Sequence, residues 1–230
     1  RDSSTSRGLG DVYKRQVKEH PGYTVISYVN TTAAVKAVTD VVVTSTNAKQ
    51  IVESFLKDEK IIFGPDRNLG NYINSITGRN MLLWDGACHV HEQFSVEKIV
   101  ELKKQYPDAP VLVHPECKGA VVKLADLVGS TAAILKYAVQ SDKKDFIVAT
   151  ESGILHEMRK QCPQKNFIPA PPEDSTCACN ECNFMRLNTL EKLYNCLKYE
   201  YPAIEVEADI AEKAVKPIQR MLEISAKLGL

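Results

Sequence analysis

A repeat of about 85 residues constrains the fold of this chain more than any other sequence feature. Residues 38–46 match residues 124–131 in residue type and order, with an aspartate, an apolar run and a Ser-Thr pair in each. An offset of 85 or 86 residues separates Tyr28 from His114, Ser45 from Ser130, and Asp66 from Glu151. Two homologous domains are the simplest interpretation. The alternative is that two unrelated α/β units look alike, because βα spacing is loose.

Short β-branched runs alternate with segments of helical period from residue 17 onward, which is typical of a parallel sheet covered by helices. We predict strands at residues 24–28, 40–44, 60–63 and 81–84, and the same order recurs at 111–113, 125–129, 146–148 and 167–169. The predicted fold class is therefore α/β, with two homologous three-layer αβα domains, parallel sheets and C-terminal helices.

The domain boundaries follow from breaks in this pattern. We place the first domain at residues 17–105, the second at 106–186 and the C-terminal helices at 187–230, because Tyr106-Pro107-Asp108 breaks a helix that begins near Val96. Residues 1–16 have no apolar periodicity and resemble the translated read-through of a sequencing adapter. We interpret them as a non-native tail. A natural flexible tail is the alternative.

The charge balance argues for small-molecule chemistry. Basic and acidic residues number 29 each, so no long-range field attracts nucleic acid or an anionic membrane. No apolar run approaches the roughly 18 to 20 residues of a membrane span, and the N-terminus lacks the apolar stretch of a signal peptide. We expect a cytoplasmic protein with neither a nucleic-acid nor a membrane partner.

The cysteines are the strongest chemical signal. Seven is an odd number in a chain too long to need disulfide bridges, so reduced thiols that bind metal fit better. Cys177, Cys179 and Cys182 lie within six residues, and Cys88 precedes two histidines and a glutamate. A structural zinc site would need two close pairs, and only one is present. Cys88 could also be a packing residue, and Cys177 and Cys179 could be extra thiols or a redox pair.

Polar motifs stand where strands give way to helices, which is where open α/β sheets bind ligands. They are residues 28–30 and 44–47 in the first domain and 114–116 and 129–131 in the second. Hydroxyl groups and free N–H groups at a helix start suit carboxylate or phosphate. Each Ser-Thr pair is more often only an N-cap. The repeat, however, could bring two such pairs onto one anionic molecule between the domains.

Seven motifs in one order resemble the quinolinate synthase family, from about His20 to the C-terminus. They are Ser27-Tyr28-Val29-Asn30-Thr31, Thr44-Ser45-Thr46-Asn47-Ala48, Pro65-Asp66-Arg67-Asn68-Leu69-Gly70, Cys88-His89-Val90-His91, His114-Pro115-Glu116, Gly129-Ser130-Thr131 and Cys182-Asn183-Phe184-Met185. The resemblance implies three similar α/β domains around a pseudo-threefold axis, with a [4Fe-4S] cluster bound by one cysteine from each domain. Cys88 and Cys182 match two of these ligands, and the third belongs to the family's N-terminal domain, of roughly 80 to 100 residues, which would precede residue 17.

The resemblance also implies an activity. Family members are transferases of NAD biosynthesis that condense iminoaspartate with dihydroxyacetone phosphate to quinolinate, losing phosphate and water. L-aspartate oxidase or aspartate dehydrogenase would supply the iminoaspartate. The iron without a cysteine ligand would act as a Lewis acid. Without the family's N-terminal domain, this chain is expected to be inactive.

The family motifs imply a role for each matched residue. Tyr28 and Asn30 would orient the substrate, and carboxylate or phosphate would be bound by Ser45, His114, Ser130 and Thr131. Glu116 would transfer a proton, and we expect burial to raise the pKa of its carboxyl toward the working range. Tyr28, His114 and Glu116 are thus the catalytic candidates. Cys117, although it follows Glu116, is not implied as a ligand.

Two other functions remain open from the sequence. The first is a metal-free α/β module that binds a phosphorylated metabolite. The second is a structural protein stabilised by zinc at Cys177, Cys179 and Cys182. The metal content after anaerobic purification separates these two from the enzyme. The enzyme should contain iron and sulfide, the binding module no metal, and the structural protein zinc alone.

Overall fold

The first domain is built on a four-stranded parallel sheet. The computed structural model describes residue 13, residues 15–174 and residues 180–230. The strand order is β2-β1-β3-β4, with β1 Thr24–Tyr28, β2 Val41–Val43, β3 Ile61–Gly64 and β4 Leu82–Leu83. Helices α1 Ala33–Lys36, α2 Ala48–Glu53 and α3 Arg67–Thr77 connect these strands. All of β2 and β3 is buried, as expected for a parallel sheet covered on both faces.

The second domain repeats this arrangement. Its strand order is β6-β5-β7-β8, again parallel throughout, with β5 Val111–Val113, β6 Leu127–Val128, β7 Asp145–Ala149 and β8 Asn166–Pro169. Its helices are α5 Gly119–Val122, α6 Thr131–Gln140 and α7 Ile154–Gln161. The predicted α/β class with two parallel sheets is therefore confirmed.

One helix links the two domains. Helix α4, Val96–Gln105, begins at Ser95, whose hydroxyl accepts a hydrogen bond from the N–H of Lys98 at 3.2 Å. Although we assigned residues up to 105 to the first domain, α4 packs through Ile99 and Leu102 on the core of the second. The domain boundaries stay predictions.

The two C-terminal helices behave differently. Helix α9, Ala208–Leu228, returns to the first domain, where Met221 and Ile224 pack on the core cluster that contains β2 and β3. Helix α8, Leu190–Tyr199, leaves Leu190 and Leu197 83% and 75% exposed. We expected both to be packing helices, and among the described residues this holds for α9 only. None of the described helices combines the length and apolarity that crossing a membrane requires.

Most of the segment that we interpreted as a non-native tail lies outside the described residues. Tyr13 is described, and it is buried with its ring centroid 5.5 Å from that of Trp84. The assignment of residues 1–16 stays a prediction.

An aspartate that precedes the second strand of each sheet ties that strand to the first. Asp40 Oδ2 accepts a hydrogen bond from the N–H of Val25 at 2.7 Å, and Asp126 Oδ2 accepts one from Val111 at 2.8 Å. These aspartates occupy matching positions in the sequence repeat. The repeat therefore conserves a backbone contact as well as a residue pattern.

We expect Asp126→Asn to destabilise the chain by about 1 kcal/mol at pH 7, the usual worth of one hydrogen bond. Burial alone would raise the pKa of Asp126, but the Val111 N–H and Lys103 Nζ, 2.9 Å away, lower it below its usual range. A carboxyl whose pKa is lower in the folded state than in the unfolded state stabilises the folded state at pH values above the pKa of the unfolded state, which is about 4. This stabilisation is lost as the pH falls further.

Urea unfolding at several pH values checks this prediction. The difference between wild type and variant should shrink below about pH 4. Asp108→Asn is the control, because that side chain is 95% exposed. A difference that stays constant down to pH 3 would contradict the assignment.

Candidate functional site

A histidine from the first domain's last loop completes a polar cluster in the second domain. His91 follows β4 in a short 3-10 helix, His91–Gln93, and its buried ring reaches the ends of β5 and β7. Its Nε2 lies 3.0 Å from Thr150 Oγ1, and its Nδ1 lies 3.2 Å from Glu116 Oε2. The ring stacks on His114 with centroids 4.6 Å apart. The site therefore depends on both domains.

Three potential metal ligands meet at this cluster. The ligand atoms of Cys88, His91 and Glu116 all lie within 4.8 Å of one another. Cys88 is a half-buried free thiol, and the other two side chains are nearly buried. Sequence reasoning singled out Cys88 and Glu116, and it placed His91 in a segment that could be a metal site. It gave His91 no role of its own and missed Thr150. The adjacent Cys-His-Val-His segment was the only signal for His91.

The histidines of the cluster have opposite pKa shifts. Burial lowers the pKa of His91, but its hydrogen bonds with Cys88 and Glu116 outweigh burial and raise that pKa to about 9. Burial, together with the charge of His91, lowers the pKa of His114 to about 4. At pH 7 His91 is therefore a cation, while His114 is a neutral hydrogen-bonding group.

The pKa of Glu116 moves against our expectation. Burial does favour a raised pKa, but the hydrogen bond and the positive charge of His91 outweigh burial and lower the pKa of this carboxyl. Burial of Glu116 could be expected from the sequence, whereas its counter-ion, His91, comes from a distant segment of the chain. Glu116 is thus a carboxylate at neutral pH, paired with an imidazolium.

The second cysteine loop lies beside the first. Cys182 is a half-buried free thiol, and it packs on the same core cluster of buried residues as Cys88. The residues that follow are in contact, since the rings of His89 and Phe184 meet edge to face with centroids 5.2 Å apart. Cys177 and Cys179 lie outside the described residues. Two free thiols from adjoining loops could supply two of the four cysteine ligands that an iron–sulfur cluster normally takes.

The Ser-Thr motifs of the two domains face one cleft. Ser45, Thr46, Gly129 and Ser130 line a cleft of about 390 Å³ between the domains, together with Pro115, Lys49 and Lys136. Ser130 caps α6, accepting a hydrogen bond from the N–H of Ala133 at 3.3 Å. The two lysines add positive charge that favours an anion. Sequence reasoning missed them, because lysines on helix surfaces are common.

The remaining predicted site residues, Tyr28, Asn30 and Thr131, are not among those that line the cleft. Tyr28 lies beside the cleft, with its Oη 3.4 Å from the Ser45 N–H that donates to it. Asn30 and Thr131 are exposed, and neither has a side-chain hydrogen bond to another described residue. Tyr28, Ser45 and Ser130 therefore lie at the cleft, whereas His114 and Glu116 lie in the polar cluster around His91. Pro115, which lines the cleft, stands between His114 and Glu116 in the sequence.

Comparison with known proteins gives a consistent result. The family model described as "Quinolinate synthetase A protein" matches residues 9–223. A protein named quinolinate synthase from Chloroherpeton thalassium is 54% identical over 94% of this chain and 67% of its own length. Those from Thermosynechococcus vestitus and a Synechococcus strain are 53% and 52% identical, over 94% and 90% of this chain and 67% and 65% of their own lengths. The chain spans about two thirds of the length of these relatives.

Proposed function

The chain belongs to the quinolinate synthetase A family, and we propose that it supplies two of the three domains of a quinolinate synthase. The complete enzyme, meaning this chain joined to the family's first domain, would condense iminoaspartate with dihydroxyacetone phosphate to form quinolinate, phosphate and water. The observation that carries the proposal is the pair of free thiols, Cys88 and Cys182, which pack on one core cluster, with Cys88 also beside Glu116.

Cys88 and Cys182 are the proposed ligands of a [4Fe-4S] cluster, with the third cysteine coming from the family's N-terminal domain, which would precede residue 17. When bound, the cluster supplies a Lewis acid for a substrate oxygen. Free cysteines of this kind are maintained in a reducing compartment, which supports a cytoplasmic location. L-aspartate oxidase or aspartate dehydrogenase is the proposed source of the unstable imino acid.

The cleft between the domains is the proposed substrate site. Ser45 and Ser130, with Thr131 at the start of α6, would bind carboxylate or phosphate groups. Tyr28 and Asn30 would orient the reacting carbons. Lys49 and Lys136 would neutralise the charge of the bound anions.

Proton transfer is assigned to Glu116 and its neighbours. Because its pKa is lowered, Glu116 is ionised at neutral pH and can accept a proton, although the His91 cation at 3.2 Å that stabilises its charge also makes it a weaker base. His114 is neutral and stacked on His91, so it can donate a hydrogen bond to a substrate carboxylate without becoming a cation. The roles of Glu116 and His114 thus differ through their surroundings.

The direct test uses the complete enzyme, purified and reconstituted without oxygen. We expect iron and sulfide in equal amounts, and quinolinate when both substrates are added. Zinc without iron would instead favour the zinc-stabilised structural protein. Absence of any metal, with binding of phosphorylated metabolites, would favour the metal-free module, and either result would refute the proposal.

A further inference from the structure

The loops that carry the two cysteines are each anchored by one carboxylate. Asp66 Oδ2 accepts a hydrogen bond from the backbone N–H of Cys88 at 2.8 Å, and Glu151 Oε1 accepts one from Cys182 at 3.3 Å. These carboxylates occupy equivalent positions, each two residues beyond the end of the third strand of its sheet. They are the repeat pair separated by 85 residues.

Two further backbone contacts recur around each cysteine. The residue after the carboxylate donates its N–H to the carbonyl two residues before the cysteine, and the cysteine carbonyl accepts from the residue four positions later. In the first domain, the N–H of Arg67 donates to the carbonyl of Gly86 (2.7 Å), and the N–H of Glu92 donates to that of Cys88 (2.9 Å). In the second domain, Ser152 donates to Asn180 (2.8 Å) and Arg186 donates to Cys182 (3.0 Å). Both sides of each cysteine backbone are therefore fixed in the same way.

Spacing along the chain does not explain this agreement. The carboxylate and the cysteine are 22 residues apart in the first domain and 31 apart in the second. The segment between carboxylate and cysteine is thus longer in the second domain, yet the same three contacts form at the cysteine. The two domains share the geometry at the cysteine although the intervening segments differ in length.

Each carboxylate also holds the start of the next helix. The other oxygen of Asp66 accepts from the N–H of Leu69 at 2.7 Å, and that of Glu151 accepts from Gly153 at 2.7 Å. An ionised carboxylate offers an acceptor to each donor, whereas an amide has a single oxygen and turns its NH₂ group toward the second N–H. Replacement by the corresponding amide therefore breaks one contact with almost no change in shape.

We propose that Asp66 and Glu151 are paired positioning residues that hold Cys88 and Cys182 for binding the iron–sulfur cluster, an inference that rests on the proposed function. Each carboxylate contacts its cysteine through the backbone N–H and not through the thiol. Each fixes a loop that otherwise lacks regular secondary structure at the cysteine. Loss of either anchor leaves its cysteine loop with two of the three contacts, so the thiol is held less firmly at the cluster.

The test compares Asp66→Asn and Glu151→Gln with Asp40→Asn and Asp126→Asn in the reconstituted complete enzyme. Asp40 and Asp126 are matched controls, because each also accepts a backbone N–H but lies away from the cysteine loops. The rate of iron transfer to a ferrous chelator is measured without oxygen, together with the melting temperature. We expect the first two variants to release iron about 10–100-fold faster, as for other residues that support metal ligands.

The controls should lose thermal stability and keep the wild-type rate of iron release. Equal rates in all four variants would overturn the positioning role and reduce Asp66 and Glu151 to ordinary helix caps. Asp66 is buried, so if Asp66→Asn does not fold, the half-buried Glu151 decides the matter through Glu151→Gln. A wild-type enzyme that binds no iron would refute the proposed function and this inference together, whereas a stable wild-type cluster with unchanged variants refutes this inference alone.

Discussion

Replacing Cys88 or Cys182 by serine should remove the iron–sulfur cluster from the complete enzyme and abolish quinolinate formation. A serine hydroxyl is not deprotonated at neutral pH and cannot replace a thiolate ligand. Changes in residues that merely support a metal ligand cost about 10–100-fold in metal affinity, so the loss of a ligand itself should cost more. Iron and sulfide content, the visible absorption of the cluster and quinolinate formation measure the effect.

Two other cysteines provide the controls. Cys196→Ser changes a cysteine of similar exposure on α8, and Cys117→Ser changes one buried in the same core cluster. Cys117 Sγ donates to the carbonyl of Ala149 at 3.4 Å, a contact that a serine hydroxyl can keep. Both controls should retain the cluster. If Cys117→Ser loses iron while Cys88→Ser keeps it, the ligand assignment is wrong.

Deleting α9, residues 208–230, should destabilise the first domain by about 3 kcal/mol or more, because burying a single Met or Ile side chain contributes about 1.5–3 kcal/mol. Met221 and Ile224 leave the first domain's core in this truncation. The contacts of Ser225 Oγ with Asn47 Nδ2 at 3.3 Å, and of Arg220 with the Phe55 ring at 5.3 Å, are lost as well.

Hydrogen exchange locates this effect. We expect β2 and α1 to lose protection while β5 and β7 keep theirs, because α9 packs on α1, β2 and α2. Within the intact helix, Ile224→Ala should be destabilising, whereas Leu222→Ala should be nearly neutral, since Leu222 is 58% exposed. Equal loss of protection in both domains would contradict a local role for α9.

The fold could be predicted because local signals agree with it. Buried β-branched runs such as residues 41–43 specify parallel strands, and the repeat specifies two sheets of one topology. The packing of α4 on the second domain could not be predicted, since an amphipathic helix at a boundary can cover either neighbour. Nor could the exposure of Leu190 and Leu197, because helical spacing predicts an apolar face but does not identify its partner.

The candidate site was predictable where motifs carry it and not where distant groups meet. Ser45 and Ser130 face one cleft, as the repeat suggested. The pairing of His91 with Glu116 joins residues from different domains, so it has no local signature, and it reverses the pKa shift expected for Glu116. Asp66 and Glu151 were visible as a repeat pair, but only their contacts with the cysteine backbones suggest a purpose.

The return of α9 to the first domain has a consequence for synthesis on the ribosome. Asn47 and its partner Ser225 are separated by 178 residues, so the first sheet emerges long before the helix that covers one of its faces is made. Until then, apolar side chains of β2 and α2 face water or a chaperone. Completion of the first domain therefore waits until α9 has been synthesised, and it requires the closure of a very long loop.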